Sequence, residues 1–275
     1  MYNFINYLED DMIKFFNYMG TKIKYVDLIN REINKTDKKI YVEPFLGSGS
    51  VFLNLEKEFD NYILNDKDRN VTTIFKSFKN GDYSEYENSL LTVKRDFGDI
   101  EEKETYYNFR NYFNMEHYKT DSNLEGFYLF TLYNACINSM ARFGPNGFNQ
   151  GCGKRGKILD KREFNLINSR LSRAEIYNLD FFELNLPDNS FMFLDPPYIA
   201  KEGSYETISE DYFKQFINFV TNSNNDIVYT DTSHDFLPNF NKTTIRTMRN
   251  SSPNRIDEYT VSECMYSNME EDLFG

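Results

Sequence analysis

"IYVEPFLGSGSVFLNLEKEFDNYILND", residues 40–66, decides the fold of this chain. It opens on an apolar run of strand length that ends near an acid, and "NYILND" at 61–66 repeats that format. Between the two, glycines are followed by Val51, Phe52, Leu55 and Phe59 at helical spacing, so the stretch reads as strand, helix, strand. A third run, "FMFLDP" at 191–196, has apolar residues on both faces of the pleat and again closes on an acid. Three such runs predict parallel strands whose C-terminal edge forms a ligand crevice.

Outward from this unit, Val71, Ile74, Phe75 and Phe78 share one side of a helix expected over roughly 68–79. The next strand is deferred. Residues 81–175 are instead mainly helical and polar, with an apolar helix near 124–139. "RFGPNGFNQGCGKRGK" at 142–157 breaks the helical pattern with five glycines and a proline, and its "PNG" centre predicts a hairpin turn. Sheet format resumes at 173–184, followed by the strand at 191–196, a helix near 209–221, a strand at 226–231 and two late strands near 243–249 and 259–267. The expected architecture is an α/β sheet, seven-stranded and mostly parallel, interrupted by a helical insertion with a basic hairpin.

The 275 residues suffice for a full core. A formal charge of −12 accompanies 17% aromatic residues, 26 Phe and 21 Tyr without Trp, which is a globular composition and not that of a disordered acidic chain. Cys136, Cys152 and Cys264 are odd in number, widely spaced and without nearby His; they predict structural thiols, no zinc site and a reducing compartment. The longest aromatic-apolar run, 127–137, is too short to cross a bilayer, and the N-terminus carries acids where a signal peptide needs a basic flank. A cytoplasmic protein without membrane or metal is expected. "DTSHD" at 231–235 predicts a loop after a strand, since a hydrolase triad is assembled in space and not in succession.

"EPFLGSG" at 43–49 is not a phosphate loop, because no Lys-Ser/Thr follows the last glycine. Gly47 and Gly49 let backbone approach an uncharged or zwitterionic ligand. Glu43 can meet an ammonium, and Asp66, ending the next strand, can accept both hydroxyls of a ribose. At 195–198, Asp195 stands at a strand mouth before Pro196 and Pro197, which lack backbone donors. One carboxylate, rigid carbonyls and the Tyr198 ring there make a polar pocket with an aromatic wall. Net charge opposes a phosphate backbone, but its distribution does not. Between 138 and 175, eight basic residues face three acids, a net of +5, and Arg246, Arg249 and Arg255 form a second basic set.

With these motifs in order, "NYMGTK" at 17–22, "VEPFLGSGSVFLN" at 42–54, "YILND" at 62–66, "YYNFRNYFN" at 106–114 and "DPPY" at 195–198, the chain resembles the Dam-type, D12-class (alpha-group) DNA adenine N6-methyltransferases over nearly everything after residue 15. The resemblance implies a Rossmann-like S-adenosylmethionine-dependent methyltransferase sheet carrying an inserted, mainly helical DNA-recognition domain with a β-hairpin. Residues 1–80 and 176–275 would be the catalytic domain and 81–175 the target-recognition domain. S-adenosylmethionine would be held by Tyr18, Gly20, Lys22, Glu43, Phe45, Gly47, Gly49, Asp66, Asp180, Phe181 and Asp195. Asp195, Pro196 and Tyr198 would be catalytic. Arg142, Lys154, Arg155 and Lys157 would contact double-stranded DNA from the hairpin, with Ser139 and Met140 near the displaced base and the enzyme bound as a monomer.

GATC is the usual family target. Gly144 and Gly151-Cys152 stand where relatives often carry Asn and a Pro-Phe pair, which predicts looser discrimination here. The alternatives are an amino methyltransferase acting on cytosine N4 or on RNA, and a catalytically silent DNA-binding or DNA-mimicking protein.

Overall fold

A computed structural model describes residues 12–137, 141–153, 157–197, 209–250 and 259–270. They fall into two compact units: Met1–Val26, Leu46–Leu55 and Asn65–Asp180 form one, and Asp27–Phe45, Glu56–Leu64 and Phe181–Gly275 the other.

The second unit holds six of the seven strands of the main sheet, in the order β2-β1-β6-β7-β9-β8. These are β1 (Ile40–Glu43), β2 (Asn61–Asn65), β6 (Phe191–Leu194), β7 (Asp226–Thr232), β8 (Asn241–Asn250) and β9 (Tyr259–Ser267). β1 pairs in parallel with β2 on one side and β6 on the other, and β6 with β7. β7 with β9 and β9 with β8 are antiparallel. Chain order therefore reverses at β1, and in an open α/β sheet the crevice outside the carboxyl ends at such a reversal is where ligands bind. Phe191–Leu194 are all buried, as befits a strand covered on both faces. Val42, Met192, Leu194, Ile227, Tyr229 and Phe216 belong to one core cluster. α7 (Glu210–Asn222), capped by the Ser209 hydroxyl on the Tyr212 N–H, supplies Phe213, Phe216 and Val220 to that interior.

In the first unit α2 (Arg69–Asn80) packs against α5 (Asn123–Ala135) and α6 (Lys161–Leu171). Gly126 permits the first contact, because a Cβ there would lie 2.1 Å from the Ser77 hydroxyl and 2.6 Å from the Thr73 carbonyl. Phe78 of α2 meets Phe127 and Phe130 of α5, Phe164 of α6 and Tyr86 of α3 (Tyr83–Asp96) in edge and tilted ring contacts. The fully buried Glu125 carboxylate is answered by Arg69 at 2.7 Å and by the N–H groups of Lys119 and Asp121 at 2.7 and 2.8 Å; a buried charge needs this many partners. α4 (Lys103–Glu116), the hairpin of β3 (Phe143–Gly144) with β4 (Gly147–Phe148), and β5 (Ala174–Tyr177) complete the unit.

Elements follow the sequence expectation closely, with one correction. The helix expected between the first two strands is a single 3-10 turn, Phe52–Asn54, in a unit that remains β1, turn, β2. Val51, Phe52, Leu53, Leu55 and Phe59 are all buried, more than one helical face can hide. Asn54 ties the segment down through Ile13 N–H at 2.7 Å, Ile13 O at 3.0 Å and Ser50 O at 2.8 Å. α2 belongs to the first compact unit, its apolar side packed on α5 and α6. Among the described residues no disulfide forms, no cluster of ligating side chains suits a metal, and no helix is long and apolar enough to cross a membrane.

Candidate active site

In the first unit the glycine loop is built on backbone. Leu46 N–H bonds the Asn65 carbonyl at 2.9 Å and Gly49 N–H the Leu46 carbonyl at 2.7 Å. Gly47 and Gly49 have φ of 49° and 63°, the left-handed region that favours glycine. A Cβ on Gly47 would come within 3.2 Å of the Tyr18 ring, and one on Gly49 within 2.6 Å of Phe75. Lys22 is buried, its ammonium donating to the Gly20 carbonyl at 3.0 Å and its N–H to the Ser50 hydroxyl at 3.2 Å.

Asp66 follows β2 and braces this loop: one carboxylate oxygen accepts Gly47 N–H and the other Asp68 N–H, each at 2.8 Å. Residues 178–180 are stitched to the same place. Asn65 and Leu179 exchange hydrogen bonds at 3.1 and 3.0 Å, Asn178 donates to the Asp66 carbonyl at 2.8 Å, and Asp180 pairs with Lys67 at 2.8 Å.

In the second unit Glu43 ends β1 and Asp195 follows β6, its parallel neighbour, so both carboxylates belong to the same sheet edge. Glu43 is buried and accepts the Tyr41 hydroxyl at 2.6 Å. Burial, and then the Glu43 charge, raise the Tyr41 pKa well above its ordinary value, so the phenol stays a donor. Phe45, half-buried, stacks on Phe181 at 5.3 Å and 16°. Phe181 is itself a core residue, in edge contact with Phe216 and Phe219. Asp195 is partly buried, and one of its oxygens accepts the Thr230 hydroxyl at 2.6 Å. Pro196 is buried and Pro197 exposed.

The hairpin has the expected tight turn at Pro145-Asn146, with Phe143 opposite Phe148 and Gly144 opposite Gly147. α4 holds it. Asn114 donates to the Phe148 carbonyl at 2.8 Å and accepts Phe148 N–H at 2.9 Å. Tyr106 and Arg110 both donate to the Gln150 carbonyl at 3.1 Å. Arg142 is exposed. Lys157 donates to the Lys14 carbonyl and pairs with Glu163 at 3.1 Å, and Arg170 of the basic set donates to the Leu55 carbonyl at 3.1 Å. Tyr198, Ser139, Met140, Lys154 and Arg155 lie outside the described residues.

Two polar residues with a place in this architecture received no role from the sequence. Thr230 lies inside the apolar run at 226–231, one residue before the acid that closes it, and no local pattern marks it. Asn114 closes "YYNFRNYFN", but its partner is a backbone 34 residues away, which no local pattern reveals. The "DTSHD" segment begins inside β7, which Asp231 and Thr232 end, and only Ser233–Asp235 continue as the expected loop: His234 stacks on Tyr266 at 4.5 Å and its Nδ1 accepts Phe236 N–H.

The residues present suit S-adenosylmethionine. A backbone cradle that a Cβ would fill belongs to the first unit, with the Asp66 carboxylate beside it, and a buried acid at a strand end belongs to the second.

Comparison with known proteins agrees. Type II methyltransferase M.MjaIII of Methanocaldococcus jannaschii is 29% identical over 198 residues, 67% of this chain and 68% of that protein. Type II methyltransferase M.CviBI of Paramecium bursaria Chlorella virus NC1A is 22% identical over 210 residues, 74% of this chain and 76% of its own. DNA adenine methylase of Escherichia coli K12 is 27% identical over 191 residues, 67% of this chain and 64% of that protein. The family model for D12 class N6 adenine-specific DNA methyltransferase matches residues 18–246, from the first motif into β8, and the chain belongs to that family.

Proposed function

We propose that this adenine-specific DNA methyltransferase acts on the exocyclic N6 of an adenine swung out of double-stranded DNA, at GATC or a relaxed relative of it. The observation that carries the proposal is the Asp195 carboxylate at the mouth of β6, next to the strand that ends on Glu43, where chain order reverses.

The methyl donor, S-adenosylmethionine, supplies when bound a sulfonium methyl open to in-line attack. The chain's residues do the rest. Glu43 holds an ammonium, and Asp66 accepts ribose hydroxyls while keeping the glycine loop braced. Tyr18, Gly20, Lys22, Gly47 and Gly49 shape the loop's ligand side. Asp180 serves the adenine edge, and Phe45, backed by Phe181, an apolar face. The adenine amine is a poor nucleophile because its lone pair is delocalised into the ring. Asp195 and the Pro196 carbonyl each accept one amino hydrogen, which turns the lone pair toward the methyl and stabilises the charge that develops on nitrogen. Tyr198 stacks on the extruded base.

Residues 81–175 recognise the target. Arg142 and Arg155 are assigned to base contacts in the major groove, Lys154 and Lys157 to phosphates, and Ser139 and Met140 to the space near the displaced base. The clamped hairpin supports this assignment, since base readout demands a rigid presentation. The enzyme works as a monomer in the cytoplasm, where DNA and methyl donor coexist. Long-read mapping of DNA exposed to the protein tests the proposal. N6-methyladenine in one short sequence, GATC or a one-position relaxation of it, is expected, and methylation without sequence preference would overturn the assignment of 81–175.

A further inference from the structure

β6 and β7 are parallel neighbours with Leu194 opposite Tyr229, so the residues that follow these two along the chain, Asp195 and Thr230, come side by side. The Thr230 hydroxyl donates to one Asp195 oxygen at 2.6 Å, and Thr230 is fully buried. That distance lies in the range of a charge-assisted O–H···O⁻ bond. We propose that Thr230 is the positioning residue that fixes the plane of the Asp195 carboxylate for methyl transfer. The inference rests on Asp195 being the group that accepts the target amine's hydrogen.

Asp195 is the first residue beyond its strand, and the torsion that turns a carboxylate plane has a broad, two-fold well. One hydrogen bond from a fixed point removes that freedom. Thr230 is such a point. It sits within β7, which is paired on both sides, with β6 and with β9 through Thr230 opposite Met265, and a β-branched side chain has few rotamers. Its hydroxyl, buried, needs a partner, and it donates to Asp195.

The neighbouring polar pair does not share this role. Tyr229 and Asp231 bond each other, and strand alternation places them on the face opposite Thr230. A carboxylate with about four acceptor sites can hold the Thr230 hydroxyl and an amino hydrogen at once, so the bond orients Asp195 without consuming it.

Thr230→Val keeps the volume and removes the donor. In the full-length protein the single-turnover methyl-transfer rate is expected to fall about tenfold or more. KM for duplex DNA and the dissociation constant for S-adenosylmethionine should stay within about twofold. Thr230→Ser, which returns the hydroxyl, should recover most of the rate, whereas a merely structural role would lower the melting temperature of both variants and leave the rate of the folded fraction intact. Asp195→Ala is measured alongside. An inactive Asp195→Ala with a fully active Thr230→Val refutes the positioning role alone. An active Asp195→Ala refutes the role of Asp195 on which it rests. Should the valine variant fail to fold, Thr230→Ala reads the same split, and a wild-type rate there is equally fatal to the inference.

Discussion

Asn114→Ala should unclamp the hairpin while leaving the rest of the fold standing. The hairpin strands are two residues each, and an isolated two-stranded hairpin is marginal in water. Its order therefore depends on what holds it from outside, and Asn114 contributes two hydrogen bonds to the backbone of Phe148, at 2.8 and 2.9 Å. Each is worth about 1 kcal/mol net, and leaving the buried Phe148 N–H and C=O unpaired raises the combined cost to about 2–4 kcal/mol. Because the groups lie on one hairpin, that cost appears as local opening and not as global unfolding. Amide hydrogen exchange reads it directly: Phe148 protection should drop by a factor on the order of 30 to several hundred. Duplex affinity should fall in proportion to the fraction of closed hairpin lost. Asn114→Asp keeps the acceptor for Phe148 N–H but turns a carboxylate toward the Phe148 carbonyl, and should behave like alanine. Unchanged Phe148 protection would refute the clamp. Full opening with unchanged DNA affinity would refute the hairpin's role in recognition.

Asp66→Ala should weaken S-adenosylmethionine binding by about 1.5–3 kcal/mol, from lost charge-assisted bonds to the ribose and from a loop no longer braced at Gly47; titration calorimetry measures it, and an unchanged dissociation constant would place the ribose elsewhere. His234 supplies a pH dependence. Burial, and then Lys242, lower its pKa to about 4 from an ordinary 6.5, although Asp231 lies 3.7 Å from Nε2. The unfolded chain then binds the proton first, so His234 stabilises the fold above about pH 6.5, and that stability is lost as pH falls toward 4. Denaturant melts across this window should show the slope, and His234→Phe should flatten it; an equal slope in the variant would show that other groups carry it.

The strands and most helices were legible because their periodicities are unambiguous: "FMFL" is buried throughout as β6, and the proline and asparagine of "GPNG" form the turn of the hairpin, its glycines standing at the turn ends of the two strands. The segment 47–59 misled for a physical reason, since apolar residues at helical spacing also occur where a short irregular turn is buried on every side. Glu43, Asp66 and Asp195 could be located in sequence because strand ends are marked by the change from apolar run to acid. Their partners could not. Thr230 reaches Asp195 across 35 residues and Asn114 reaches Phe148 across 34, contacts created by strand pairing and helix packing. That Asp66 accepts Gly47 N–H was hidden likewise, because a loop's backbone donors carry no side-chain signature.

Transfer of tritium from labelled S-adenosylmethionine to duplex DNA, followed by nucleoside analysis, tests the central claim most directly. Wild-type protein should place the label on N6-methyl-2′-deoxyadenosine of the DNA, and Asp195→Ala, binding the methyl donor within about tenfold of wild type, should place none. Label on N4-methylcytosine, or equal adenine labelling by wild type and Asp195→Ala, would contradict the account.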